Sequence, residues 1–247
     1  MRTLGRFPVR AIRSASRQGT RYGDDMERAA AIRLLVDDFE GLRPGHTTRV
    51  GVDGPDAAGK TWLADELGKD LRGRGRPSIR ASIDGFHRPR SSRHQRGELS
   101  PEGYYLDSFD QEALVHQLLA PLGPGGDGWY RRFVFDHRSN ERNEDAPKQA
   151  ELGSVLVFDG VFLHRPELRP YWDYTVFVRV SNDTILKRAK ERDAALLGGD
   201  REVEVHYRSR YLPAQLSYVQ NIGPERLANA VIVNEDLANP SVVLQTT

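Results

Sequence analysis

The chain has no cysteine among its 247 residues, which removes disulfides, thiolate nucleophiles and cysteine-ligated metal from its chemistry and leaves its compartment open. It has no apolar run approaching the roughly 18 residues that a membrane span needs. Nor does it carry an excess of either charge. With 36 basic and 35 acidic residues the formal net charge is +1, so bulk charge draws it to neither nucleic acid nor an anionic membrane. Histidine pairs at zinc spacing are also missing. What remains is a mixed-charge chain, 38% hydrophobic and 29% charged, long enough for one substantial core with a small lid. A cytoplasmic protein with a small-molecule substrate is the expectation; a homo-oligomer is left open.

Met1 to Gly23 departs from that balance. Arg2, Arg6, Arg10, Arg13, Arg17 and Arg21 occur there and no acid appears before Asp24, so residues 1–23 are read as a basic, disordered tail. The same composition suits an organelle transit peptide, without the apolar stretch of a secretory signal. Residues 24–247 are read as one domain. Gly123 to Gly128 reads as a surface loop.

The remainder alternates. Helical spacing runs from Asp24 to Phe39, Trp62 to Leu71, Asp110 to Leu119, Asn182 to Ala195, and Glu202 to Gln220 with a break at Pro213. Strands are expected at Thr48–Asp53, Ser78–Ile83, Ser154–Phe158, Tyr174–Val180 and Ala230–Val233. Strands separated by helices imply crossovers, hence an α/β, doubly wound, mainly parallel sheet covered on both faces.

The stretch VGVDGPDAAGKTWL carries the strongest signal. Gly54, Gly59, Lys60 and Thr61 satisfy G-x-x-x-x-G-K-[ST] between an expected strand and an expected helix, which is the P-loop context. Backbone N–H groups of Gly54, Pro55, Asp56, Ala57, Ala58 and Gly59 would surround phosphate oxygens, except for the imino nitrogen of Pro55, and the helix would point its positive end at them. Lys60 would reach the outer phosphates and the Thr61 hydroxyl would ligate Mg²⁺. The implied cofactors are ATP and Mg²⁺.

Two acids follow in order. Asp84, in SIDGFHRPR, stands at a strand's C-terminal end, where open α/β sheets place their ligands. It could take a proton from an acceptor hydroxyl or bind Mg²⁺ through water; an ordinary Asp-Gly turn is the alternative. Asp159 ends VLVFD, an apolar strand closed by an acid, as a metal-orienting carboxylate does.

Together VGVDGPDAAGKT, IDGFHRPR, YRRFVFDHRS and LVFDGVFL resemble the uridine kinase and phosphoribulokinase group of P-loop kinases over about Thr48 to Asp236. The resemblance implies ATP-dependent phosphorylation of a small metabolite's hydroxyl, with Mg²⁺ and a mobile arginine-bearing lid. It implies Asp84 as the acceptor-activating aspartate, Asp159 as the strand-end acid and His137 as a nucleoside contact. This chain has Gly85, Phe86 and His87 where uridine kinases have a serine-phenylalanine-tyrosine run. Its D-G-F-H form also resembles kinases of pantothenate or sugars.

Other candidates are less specific. His87 would bond substrate or lie in a surface loop; His137 would meet a base or ribose with Phe135 offering an apolar face, or Phe133 and Phe135 form a core strand. Phe86, Tyr105 and Gln215 would line the acceptor pocket. A lid at about residues 192–208, broken at Gly198 and Gly199, would bring Arg192 to charge developing on the transferred group. Asn234 would sit near adenine. The alternative in a different class is a non-catalytic ATP-binding module.

Overall fold

The computed structural model describes residues 20–22 and 26–245. The main chain forms β1 (Thr20–Tyr22), α1 (Arg28–Glu40), β2 (Thr48–Asp53), α2 (Lys60–Gly73) and β3 (Ser78–Ser82), followed by α3 (Arg90–Arg93), α4 (Pro101–Asp107) and α5 (Gln111–Leu114). Two small hairpin-like pairs follow, β4 (Trp129–Tyr130) with β7 (Lys148–Gln149) and β5 (Phe135–Asp136) with β6 (Glu141–Arg142). Then come β8 (Val155–Gly160), β9 (Tyr174–Arg179), α6 (Asn182–Leu197), α7 (Asp200–His206), α8 (Leu212–Ile222), α9 (Pro224–Leu227), β10 (Ala230–Val233) and β11 (Ser241–Leu244).

Seven strands form one sheet in the order β1-β11-β10-β9-β2-β8-β3. The five from β10 to β3 are parallel, and β11 and β1 add an antiparallel edge. The doubly wound expectation therefore holds. Within the stretch expected to be a tail, Thr20–Tyr22 pairs with Val242–Leu244; residues 1–19 and 23–25 lie outside the described residues. Among the described residues no helix is long and apolar enough to cross a membrane.

The sheet is buried on both faces because β2 and β8 have no exposed residue. Against one face α1 packs Ala31, Ile32, Leu35, Val36 and Phe39, and α2 packs Leu63, Ala64, Leu67 and Leu71. These spacings are the apolar stripes of two helices. Against the other face lie Phe86, Tyr104, Phe109, Phe158, Phe162 and Tyr218.

Several boundaries moved for local reasons. Asp110 caps α5 through its side chain at the Ala113 amide, 2.9 Å, and the helix then widens into a π turn over Val115–Leu119. The long expected helix over 202–220 is three pieces: α7, a π turn at Tyr207–Tyr211 and α8. Pro213 lies in the first turn of α8, where its missing N–H costs no ladder bond, and the widened turn accommodates it.

One buried network ties the sheet to the far helix. Asp53, the last residue of β2, is completely buried. Its Oδ2 accepts from His164 Nδ1 at 2.8 Å and from Tyr218 OH at 2.5 Å, and its Oδ1 accepts the Gly54 amide at 2.8 Å. His164 Nε2 in turn lies 3.0 Å from Thr175 Oγ1. Burial alone raises the Asp53 pKa, but His164, Tyr218 and the Gly54 amide outweigh it and hold the carboxyl below its ordinary 3.8.

A group with a depressed folded pKa contributes stability above its unfolded pKa and loses it as pH falls through the folded one. Asp53→Asn is therefore expected to lower unfolding free energy by about 3–5 kcal/mol at pH 7. The gap to the parent should narrow below the ordinary 3.8, as read by denaturant unfolding from pH 7 to pH 3. A gap that stays constant over that range means folding does not lower the Asp53 pKa, and a gap that widens means the folded carboxyl is neutral.

Candidate active site

The loop from Gly54 to Thr61 joins β2 to α2 beyond the C-terminal edge of the sheet. Its glycines are required by space and by backbone angle. Gly54 has φ +151 and a Cβ there would lie 2.6 Å from the Val178 carbonyl oxygen; Gly59 has φ +91 and its Cβ would lie 2.8 Å from Asn234 Nδ2. Inside the loop, Gly54 donates to Asp53 and Ala58 donates to the Pro55 carbonyl at 3.3 Å. Among the described residues no hydrogen bond engages the amides of Asp56, Ala57, Gly59 or Lys60. Unpaired donors around a tight turn, at the start of a 14-residue helix, form an anion cradle. The residues present therefore fit a bound polyphosphate.

Lys60 is buried and arches back over the loop, its Nζ donating to the Pro55 carbonyl at 2.6 Å. The Thr61 hydroxyl donates to Asp159 Oδ2 at 2.7 Å. Asp159 is itself the fifth residue of β8 rather than a residue beyond its end, because β8 runs on through Gly160. Its register partners are Val52 and Ser82. Arg80 Nη2 holds Asp159 Oδ1 at 2.9 Å, and Ser82 Oγ lies 3.3 Å from Oδ2. A hydroxyl and a carboxylate oxygen side by side suit Mg²⁺, which takes hard oxygen donors, keeps several waters and leans on substrate phosphates.

Asp84 lies in a 3₁₀ turn, Ile83–Phe86, started by the Ser82 side chain. Its carboxylate is 66% exposed, and Oδ1 stands 3.5 Å from His87 Nε2. The cleft walls crowd it enough to raise its pKa, yet contact with His87 and the charges of His87, His137 and Lys60 prevail and hold it low. Asp84 is thus ionised near neutral pH and within electrostatic reach of the phosphate-loop lysine, and its contact is with His87, not with the Thr61–Asp159 pair.

His87 and His137 come together with ring centroids 4.8 Å apart, and His87 packs on Phe109 at 4.6 Å. Burial first, then the neighbouring His87, pushes the His137 pKa below its ordinary value, so its ring is neutral near pH 7. Beside them opens a cleft of about 390 Å³, lined by His87, Gln117, Phe135, Arg142, Asn143 and Glu144 among others. That volume lies within the ~300–1,000 Å³ of small-molecule sites. Phe86 is a correction. It is completely buried and packs against Phe158 at 6.3 Å, so it belongs to the core and not to a substrate pocket.

Three further candidates sit deeper than expected. Asn234 is buried beneath the loop, donating to the Ala58 carbonyl at 2.7 Å and accepting from Arg28 at 3.1 Å. It braces the loop instead of offering an open contact for a base. Gln215 is buried and donates to Asp56 Oδ2 at 2.6 Å. Tyr105 packs edge-on to Phe162, with the Arg165 guanidinium 4.1 Å from its ring centre.

The basic stretch breaks where expected, at Gly198 and Gly199, between α6 and α7. It is folded down: Val203 and Tyr207 pack with Ile185, Leu186 and Ala189 against Ala57 of the phosphate loop. Arg192 is clasped by Asp193 at 2.7 Å and by Tyr207 OH at 3.0 Å. Arg188, one turn earlier, reaches the loop region, donating to the Asn234 and Glu235 carbonyls at 2.8 and 3.0 Å.

Asp53, His164 and Arg80 were missed in the sequence. A signal for Asp53 existed, since VGVD is the same apolar run closed by an acid that singled out Asp159. His164 and Arg80 carried none, because their partners are distant in the chain.

The sequence profile of the Phosphoribulokinase / Uridine kinase family matches residues 49–235. The chain is 30% identical over 176 residues to uridine-cytidine kinase B of Dictyostelium discoideum, covering 70% of each chain. Among solved structures it resembles one described as a possible uridine kinase from Bacillus stearothermophilus, with a TM-score of 0.66, 23% identity, and 83% of this chain and 99% of that one covered. A Silicibacter protein proposed to be a fructose transport system kinase has a TM-score of 0.64 and 20% identity, over 79% of this chain and 95% of the other. A P-loop built on a mainly parallel sheet, carrying an acid at two neighbouring strand ends and matched by the profile over most of its length, places the chain in one group: it belongs to the phosphoribulokinase/uridine kinase family and is a P-loop small-molecule kinase.

Proposed function

We propose that the protein moves the γ-phosphate of ATP to a hydroxyl of a nucleoside, uridine or cytidine. The observation that carries this reading is Asp84: an exposed carboxylate whose pKa is held below its ordinary value, with His87, which lines a cleft of about 390 Å³, 3.5 Å from it. The nucleoside reading is supported by the relative described as a uridine-cytidine kinase and by the His87 and His137 rings, 4.8 Å apart and tilted by 46°, which offer a base an aromatic surface to pack on.

In this reading the loop amides and Lys60 hold the triphosphate. Thr61 and Asp159 would hold Mg²⁺, which when bound neutralises phosphate charge. Asp84 orients the acceptor hydroxyl and accepts its proton, His87 fixes the carboxylate's position, and Arg192 on the folded-down lid segment faces the transferring group. Phosphoryl transfer needs little covalent assistance, so positioning and charge supply most of the acceleration.

Purified protein with ATP and Mg²⁺ is expected to phosphorylate uridine or cytidine in a panel that also contains pantothenate and sugars, scored by mass spectrometry. A product from pantothenate or a sugar alone replaces the nucleoside; silence across the panel with ATP still bound points to a binding module. Asp84→Asn is expected to lower kcat by about 10²- to 10⁴-fold while ATP affinity, measured by calorimetry, stays within twofold. Lys60→Ala is expected to weaken ATP binding by about ten- to a hundredfold; unchanged affinity would sink the phosphate-loop assignment.

A further inference from the structure

Asp56 is the only acid between Gly54 and Thr61. A carboxylate set among amides that receive phosphates repels the ligand the loop is built for, unless it is turned toward something else. The fold turns it. Asp56 Oδ2 accepts two hydrogen bonds, from Tyr104 OH at 2.7 Å and from Gln215 Nε2 at 2.6 Å. Tyr104 lies on α4, the second helix after the Asp84 turn, and Gln215 lies on α8.

One of these donors links Asp56, through aromatic packing, to the residues around Asp84. The Tyr104 ring packs 6.2 Å from Phe109, Phe109 packs 4.6 Å from His87, and His87 stands 3.5 Å from Asp84. Tyr104 is thus bonded to Asp56 and feels the charge of Asp84 as well. Its hydroxyl stays protonated, through burial first and then through the charge of Asp56, with Asp84 adding to the effect.

Two acceptor atoms at this place lack donors. Among the described residues nothing donates to Asp56 Oδ1, and Gln215 Oε1 is buried with no hydrogen-bond partner. Of the two, Gln215 Oε1 is the buried one, costly to leave without a donor, while Asp56 is half-buried and its Oδ1 can be met by a ligand's donor.

We propose that Asp56 is an acceptor-binding residue: its second carboxylate oxygen takes a hydrogen bond from one hydroxyl of the acceptor while Asp84 engages the hydroxyl that is phosphorylated. The acceptor is then a polyol with at least two hydroxyls, as ribosides and sugars are, and not a simple alcohol. This rests on the phosphotransfer reading above. It leaves the Asp56 amide with the phosphate loop but assigns the side chain to the acceptor, as a determinant of specificity.

The test uses the full chain, with uridine, or whichever panel acceptor the parent phosphorylates, and the mono-deoxy analogues of that acceptor. For the parent, kcat/KM on at least one deoxy analogue is expected to fall about 10- to 100-fold below the full acceptor. Asp56→Asn is expected to bring the full acceptor down to that analogue's level by raising the acceptor KM. ATP affinity of the variant, by calorimetry, is expected to be unchanged or tighter, since a repelling charge has gone.

A tenfold or greater loss of ATP affinity in Asp56→Asn overturns the assignment, as does a variant that keeps the parent's discrimination. Should Asp56→Asn melt well below the parent, Tyr104→Phe asks the same question with the carboxylate in place. Its acceptor KM should rise with ATP affinity unchanged, and an equal loss for both substrates overturns the proposal. If the parent discriminates normally and only the variants disagree, the inference fails alone; if the parent phosphorylates nothing, the phosphotransfer reading fails and the inference falls with it.

Discussion

A carboxylate with no access to water needs donors, and in this protein the donors of Asp53 hold the site together. Gly54, His164 and Tyr218 converge on it, so the first turn of the phosphate loop, the segment after β8 and the middle of α8 are fixed to one charge. A buried ion of this kind is strongly destabilising when a partner is lost, which gives the arrangement little freedom to drift. Three residues on, Asp56 meets Gln215, one turn before Tyr218 on the same helix. The phosphate loop and α8 are thereby joined at two points, and the elements on the acceptor side are registered to the loop that holds the nucleotide.

The sheet order explains why the chemistry collects at one edge. β2 lies between β9 and β8, and β8 lies between β2 and β3. The loop after β2, Asp159 near the end of β8 and the Asp84 turn after β3 are therefore neighbours at the same end of three adjacent parallel strands. Their charges are managed separately. Asp159 is buried and shared by Arg80 and Thr61. Asp84 remains open to solvent, with a histidine as its companion. One carboxylate is thus fixed in place for a structural or metal-supporting task, while the other is free to meet a ligand.

Legibility followed the range of the interactions. The strand, glycine turn, lysine and helix from Val50 to Leu63 could be read directly, because neighbouring residues dictate that geometry. The apolar strands and the Gly-Gly break between α6 and α7 were legible for the same reason. Phe86 was misjudged because a phenylalanine beside an active-site turn looks the same in sequence whether it faces the cleft or Phe158. Asn234 was placed near a base from its position after β10, yet its amide is used by the Ala58 carbonyl, 176 residues away. β11 and Thr20–Tyr22 were not read as strands; Thr20–Tyr22 is a three-residue edge strand and β11 a four-residue strand inside it, and the form of each depends on its pairing partners.

The sequence by itself determined the phosphate loop, the parallel α/β order and two candidate acids, since periodicity and glycine conformation act within a few residues. Only the tertiary structure decided which acids are buried, which are open and which are turned away from phosphate. Asp53 is defined by Tyr218, 165 residues distant, and Asp56 by Gln215, 159 residues distant. Hydrogen bonding and desolvation of a carboxylate are set by what surrounds it in space, and that information does not lie near the residue in the chain.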